Sequence, residues 1–151
     1  MNSASQIPPS ALVLGLAGLI PFAACALSQW TVMSLLPPAD GLRFGMAYGA
    51  IILSFLGGIR WGTALSTPET SGQGLEFGLS VVSSLAGWAS LLLSPLLGLS
   101  LLIAGFLLQS LWDVLSVERG RLPQWFGRLR MVLTVGAVLS LAAMLVRLVI
   151  S

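Results

Sequence analysis

The sequence contains no histidine, a single cysteine and very few charged residues. Without histidine the chain lacks the residue that most often serves as general base or metal ligand, and that commonly ligates haem. Cys25 alone cannot form a disulfide within the chain. These absences disfavour most catalytic functions, and they predict no metal site and no cofactor.

Apolar residues dominate instead. Of the 151 residues, 56% are hydrophobic and 8% are charged, and the mean hydropathy is +0.98, well above that of soluble domains. All seven basic residues are arginines, set against five acids, and they lie near the ends of apolar runs rather than on a nucleic-acid-binding face. The composition predicts an all-α, polytopic membrane protein that contacts membrane lipids and does not bind nucleic acid.

Five apolar runs are long enough to cross a bilayer as helices. They predict one transmembrane domain, a five-helix bundle with spans at about residues 11–30, 41–65, 75–93, 96–115 and 125–150. Pro21 should kink the first span or free a backbone carbonyl. Pro37 to Asp40 predict a turn, residues 66–74 a solvated loop, and Ser94 with Pro95 a tight helical hairpin. A cleaved secretory signal is the alternative for the first span, although no positive charge precedes it.

The distribution of arginines predicts the orientation. Arginines are concentrated after the fourth span, on the same side as the amino terminus, and only two lie near the other side. Under the positive-inside rule, the amino terminus is cytoplasmic and the carboxyl terminus is on the opposite side of the membrane.

The second span, from Gly41 onward, is the glycine-rich segment expected at the centre of the bundle. Glycine allows two helix backbones to approach closely in lipid, so Gly45, Gly49, Gly58 and Gly62 are predicted helix-packing positions. At about 100° per residue, the first two share one face and the last two lie nearly opposite.

Polar residues within the spans predict one site. The second and fourth spans are parallel, so Arg60 and Asp113 lie at similar depth and could pair. A carboxylate near a helix carboxyl end needs a cation, which Arg60 or an arginine that follows the fourth span can supply. Gln109 lies one turn deeper on the Asp113 face. The predicted pocket, at the inner leaflet and walled by tryptophans, has these candidate ligand-binding residues: Arg60, Trp61, Gln109, Asp113, Trp125, Arg128, Arg130 and Thr134.

Each residue also has a structural explanation. Arg60 could extend to lipid headgroups, Asp113 could be a structural ion-pair partner, and Gln109 could join helices. The tryptophans could form the aromatic belt at the membrane interface.

Enzymatic activity is disfavoured. Serine-type intramembrane proteolysis commonly needs a histidine base, and the aspartyl type needs two buried aspartates, for which only Asp113 qualifies. No glycine-rich phosphate loop is present. We therefore identify no catalytic residue.

Four segments carry a resemblance to a known family: Leu14–Phe22 (LGLAGLIPF), Tyr48–Gly62 (YGAIILSFLGGIRWG), Gly105–Asp113 (GFLLQSLWD) and Leu122–Thr134 (LPQWFGRLRMVLT). Together they resemble an uncharacterised multi-pass membrane family, a domain of unknown function, which includes mitochondrial transmembrane protein 69. The resemblance covers nearly the whole chain. It implies a bacterial inner-membrane location, hence a periplasmic carboxyl terminus, and no settled activity.

Three functions are compatible with these features. The leading hypothesis is an accessory or assembly subunit that packs against a larger inner-membrane complex. The second is a small-molecule binding or transport protein, with a quinone, lipid headgroup or anion held at the polar site. The third is a homo-oligomeric channel.

Overall fold

The structure, a computed structural model, describes residues 6–31, 36–66 and 73–150. All regular structure in these ranges is helical. The helices are α1 (Pro9–Ala17), α2 (Ile20–Ser28), α3 (Pro38–Leu65), α4 (Gln73–Leu92), α5 (Pro95–Glu118) and α6 (Gln124–Ile150). Counting α1 and α2 as one span, five segments are long and apolar enough to cross a membrane. The predicted all-α membrane fold with five spans is confirmed, whereas most of the predicted 66–74 loop lies outside the described residues.

The first span is interrupted at Gly18 and Leu19, between α1 and α2. Pro21 has no backbone N–H, so it cannot continue the hydrogen-bond ladder across this point. The Tyr48 hydroxyl of α3 donates a hydrogen bond to the Gly18 carbonyl oxygen at 3.0 Å. The predicted break therefore lies two to three residues before Pro21, and α3 supplies a hydrogen bond there.

Prolines mark the starts of two long helices. Pro38 and Pro95 occupy the first positions of α3 and α5, where the missing N–H would be unpaired in any case. The predicted turn from Pro37 to Asp40 is therefore wrong beyond Pro37, because α3 already begins at Pro38. The predicted hairpin at Ser94 and Pro95 is confirmed.

The core surrounds α3, which packs against α2, α4 and α5. The Phe22 ring lies edge-on to Tyr48 and Phe106, with centroids 5.0 and 5.8 Å apart. The outside of the bundle exposes leucine, valine and isoleucine side chains on every span, which suits contact with lipid chains. The largest fully buried apolar side chains are Phe22, Leu53, Leu99, Leu102, Phe106, Leu141 and Met144.

Two of the predicted packing glycines, Gly45 and Gly49, lie at close contacts between helices. A Cβ atom at Gly45 would lie 2.5 Å from the terminal methyl carbon of Met144, and one at Gly49 would lie 3.2 Å from a methyl carbon of Leu102. The absence of a side chain at both positions lets α3 approach these neighbours closely.

Gly58 and Gly62, also predicted as packing positions, make no close contact within the described part of the bundle. Both are exposed, and a Cβ atom at either would have no heavy atom of the described residues within 4 Å. The close contact is made by Gly57, where a Cβ atom would lie 2.5 Å from the Ser80 carbonyl oxygen of α4. The adjacent glycines Gly57 and Gly58 therefore have different roles, since Gly57 faces α4 and Gly58 faces outward.

Candidate ligand-binding site

Three charged side chains reach the same level of the bundle. Arg60 and Asp113 each lie five residues before the end of their helices, and Arg130 lies six residues after the start of α6. At 1.5 Å per residue this is about 8–9 Å inside the helix ends. Their exposures are 8%, 4% and 5%, so all three are buried among the helices rather than extended to a membrane surface.

Asp113 pairs with Arg130. The Arg130 Nε donates to the Asp113 Oδ2 at 2.7 Å. Gln109 supports this pair, because its Nε2 donates to the Asp113 Oδ1 at 3.5 Å and to the Leu56 carbonyl oxygen at 3.4 Å. The Ser83 hydroxyl donates to the Gln109 Oε1 at 3.1 Å. We call Arg60, Gln109, Asp113, Arg130 and Thr134 the polar cluster.

The possible ion pair between Arg60 and Asp113 is not formed. The Arg60 guanidinium instead lies over the Trp112 ring, 4.3 Å from its centroid. Consecutive helical residues point about 100° apart, so with Asp113 directed at α6, Trp112 is presented to Arg60. The expectation that Asp113 has a cationic partner is confirmed, and the partner is the arginine of α6.

Arg60 donates no hydrogen bond to a described residue, and its buried Nε has no acceptor there. The carboxylates of Asp113 and Glu76 attract it electrostatically but accept no hydrogen bond from it. Two further buried polar atoms in the described ranges have no partner, the Arg130 Nη2 and the Thr134 Oγ1. An unpartnered buried polar group costs about 1–3 kcal/mol, so the polar cluster has unused capacity to bind a hydrogen-bond acceptor.

The polar cluster borders three cavities. A groove of about 420 Å³ between α4 and α5, the α4–α5 groove, reaches Arg60, Ser83 and Gln109. A cleft of about 160 Å³ between α1, α3 and α6, the α1–α6 cleft, reaches Arg130 and Thr134. The smallest, about 20 Å³, lies beside Arg60 and Asp113 and has room for about one water molecule.

The remaining predicted site residues lie elsewhere. Trp61 is 43% exposed and packs against Phe77, with the rings tilted by 52° and their centroids 4.6 Å apart. Trp125 packs beside Phe126, and Arg128 is exposed. None of these three predicted residues lines the three cavities, whereas Trp112 lines two of them.

Glu76 was missed as a site residue. Its Oε1 lies 2.6 Å from the Arg121 Nη1, and both residues line the smallest cavity. The available signal was an acid at the start of an otherwise apolar helix, at the same end of the bundle as the arginine-rich loop. This pair joins α4 to the α5–α6 loop beside the polar cluster.

Glu76→Gln is expected to lower the free energy of unfolding by no more than about 1 kcal/mol. The Glu76 side chain is 15% exposed, but that of Arg121 is 40% exposed, and water at the guanidinium weakens such pairs. Unfolding in detergent at low and high salt measures the effect, which should shrink as salt rises. The control is Glu118→Gln, at an exposed acid. A loss that salt does not reduce would contradict the assignment of a surface pair.

Comparison with known proteins gives a family. The family described as "Protein of unknown function (DUF3429)" matches residues 7–146. The chain is 38% identical to transmembrane protein 69 of Xenopus tropicalis over 97% of this chain and 57% of that protein. It is 37% identical to transmembrane protein 69 of Mus musculus over 92% of this chain and 56% of that protein.

The chain thus spans little more than half the length of these curated relatives. No solved structure matches it. The family match covers nearly the whole chain, and both relatives named here are called transmembrane proteins. The chain is an integral membrane protein that belongs to the DUF3429 family of unknown function.

Proposed function

We propose that the protein binds an amphiphile with an anionic head, a phosphate or a carboxylate, in the α4–α5 groove. The observation that carries this proposal is Arg60, a buried guanidinium without a hydrogen-bonded partner in the described part of the chain. A buried charge is costly unless it is paired. An anionic head at the inner end of the groove would supply the missing partner.

The chemistry of the groove suits such a head. A guanidinium binds carboxylate or phosphate through two parallel N–H donors. Trp112 supports one face of the Arg60 guanidinium, so a ligand would bind at its edge. The polar cluster holds two buried arginines and, within the described residues, one buried carboxylate, so an anion would balance the excess positive charge.

The rest of the groove suits a hydrocarbon chain. Its volume of about 420 Å³ lies in the range of small-molecule sites. Beyond the polar end the walls are apolar and include Leu79, Val82, Leu101, Ala104 and Leu108. A lipid-like tail could therefore remain in an apolar environment while its head reaches Arg60.

Native mass spectrometry of protein purified from mixed bilayers tests this proposal. The probes are phosphatidylglycerol and phosphatidylcholine with identical chains, and inorganic phosphate in a separate arm. We expect preferential retention of phosphatidylglycerol, reduced about tenfold in Arg60→Gln, because one lost charged contact is worth about 1.4 kcal/mol or more.

Arg43→Gln is the matched control, since it removes the same charge from an exposed position at the other end of α3. It should retain phosphatidylglycerol like the unmodified protein. Equal lipid loss in both variants, or no headgroup preference, would contradict the proposal. Binding of inorganic phosphate alone would identify an anion site without a role for the tail.

A bacterial inner-membrane location, with the amino terminus cytoplasmic and the carboxyl terminus periplasmic, is part of the proposal. The orientation is supported by the arginines of the α5–α6 loop, Arg119 and Arg121. Arg60 would then lie in the inner leaflet. Reporter fusions at the two termini, one active only in the cytoplasm and one only in the periplasm, test it, and the reverse pattern of activity would contradict it.

An accessory or assembly subunit is the second candidate. It is supported by the outward-facing Gly58 and Gly62 of α3 and by Gly74 and Gly78 of α4, around whose Cβ positions no heavy atom of the described residues lies within 4 Å. Small residues on such a surface permit close approach of a partner helix. Gly62→Leu should then remove the protein from a larger complex in blue native electrophoresis of detergent extracts. Migration of the unmodified protein only as a free protomer or small homo-oligomer would contradict this role.

A further inference from the structure

We propose a second binding site, in the α1–α6 cleft, for an uncharged molecule that carries a carbonyl oxygen on an apolar body. The cleft shares no lining residue with the α4–α5 groove. The inference is independent of the proposed function, because it is based on Arg130 and Thr134 rather than on Arg60.

Two unsatisfied groups point to a ligand. Arg130 and Thr134 are 5% and 4% exposed, and both line the cleft. The Arg130 Nη2 and the Thr134 Oγ1 have no hydrogen-bond partner among the described residues. They lie one helical turn apart on α6, so a single oxygen could accept from both, which a carbonyl oxygen with two lone pairs can do.

The charge balance favours a neutral ligand here. The Arg130 Nε already donates to the Asp113 carboxylate at 2.7 Å, and Arg130 is the one charged residue among the described residues that line the cleft. An anionic head would place a second negative charge near Asp113 in a low-dielectric environment, where like charges repel strongly. A carbonyl would use the free donors without adding charge.

The shape of the cleft suits a ring or the carbonyl end of a chain. Gly15 and Gly18, at the end of α1, line it without side chains, and Phe22, Phe55 and Phe106 contribute apolar walls. Neighbouring atoms cover both donors, the Arg130 Nη2 and the Thr134 Oγ1. A ligand would reach them when the Thr134 side chain changes χ1 and the Arg130 guanidinium shifts with it, since threonine divides between two rotamers in helices.

Scintillation proximity binding of tritiated probes to purified protein in phosphatidylcholine nanodiscs tests the inference. The probes are decylubiquinone, a quinone, and dioleoylglycerol, a fatty ester, which distinguish the two sources of a membrane carbonyl. We expect saturable binding of at least one probe, weakened roughly fivefold to tenfold in Thr134→Val, an isosteric change that removes one hydrogen bond.

Three further variants make the result specific. Ser140→Ala removes a hydroxyl that bonds the Gly136 carbonyl of its own helix, outside the cleft, and should bind as the unmodified protein does. Thr134→Ser keeps the hydroxyl and should retain binding, even if Thr134→Val fails to fold. Arg60→Gln should also leave binding unchanged, which separates this site from the α4–α5 groove.

Absence of saturable binding of both probes, unchanged affinity in folded Thr134→Val, or loss of binding in Thr134→Ser would overturn the inference.

Discussion

Asp113→Ala is expected to lower the free energy of unfolding by about 3–5 kcal/mol, the usual cost of removing one partner of a buried ion pair. The variant leaves Arg130 charged and 5% exposed, with no carboxylate at its Nε. Gln109 would also lose the Asp113 Oδ1 acceptor. Steric trapping in bicelles measures the unfolding free energy directly.

Two comparisons separate the ion pair from a general effect of lost charge. Glu118→Ala, at an exposed acid of the same helix, should change stability by less than about 1 kcal/mol. The double variant Asp113→Leu with Arg130→Met should recover much of the loss, because apolar residues can replace a buried ion pair. An equal, small effect of Asp113→Ala and Glu118→Ala would contradict a buried ion pair.

Gly57→Ala is expected to destabilise the bundle by about 1–3 kcal/mol, the range for overpacking a close contact. The added Cβ atom would lie 2.5 Å from the Ser80 carbonyl oxygen and 3.0 Å from the Ser83 Cβ. Because a backbone atom blocks it, α3 and α4 must separate locally, which also disturbs the Ser83 hydrogen bond to Gln109. Steric trapping in bicelles measures this loss of stability as well.

The neighbouring Gly58→Ala is the control. Its Cβ atom would meet no described heavy atom within 4 Å, so any effect on an isolated protomer should come from helix propensity, which favours alanine by about 1 kcal/mol in water. If the two substitutions had the same effect, the assignment of Gly57 as the contact with α4 would be wrong.

The membrane fold could be predicted from the sequence because the bilayer imposes the length of each apolar run. Pro95 and the arginine-rich loop then mark where helices begin and end, whereas Pro38 falls in the predicted turn although α3 begins there. The break between α1 and α2 was predictable only in part. Pro21 indicates that the backbone hydrogen bonds of the first span must be interrupted. The position of the interruption depends on tertiary contacts such as that of Tyr48 with Gly18.

The depth of the polar residues was predictable, but their partners were not. Helix rise fixes how far Arg60 and Asp113 lie from the helix ends. The rotation of each helix about its axis depends on packing, and packing directs Asp113 toward Arg130 and places Trp112 against Arg60. The choice between Gly57 and Gly58 depends on the same rotation.

The predicted single pocket is divided in the structure. Arg60 and Gln109 border the α4–α5 groove, whereas Arg130 and Thr134 border the α1–α6 cleft. The side-chain pattern of a helix shows which residues share its own face, but it does not show which neighbouring helices enclose that face. The two cavities therefore required the arrangement of the whole bundle.

The central claim is that Asp113 engages Arg130 and leaves Arg60 free for a ligand. Two double-mutant cycles on unfolding, which pair Asp113→Ala with Arg130→Met or with Arg60→Met, test it most directly. We predict a coupling of about 1.5–3 kcal/mol for Asp113 with Arg130, typical of a charge-assisted hydrogen bond, and less than about 1 kcal/mol for Asp113 with Arg60. A coupling to Arg60 equal to or greater than that to Arg130 would contradict the account.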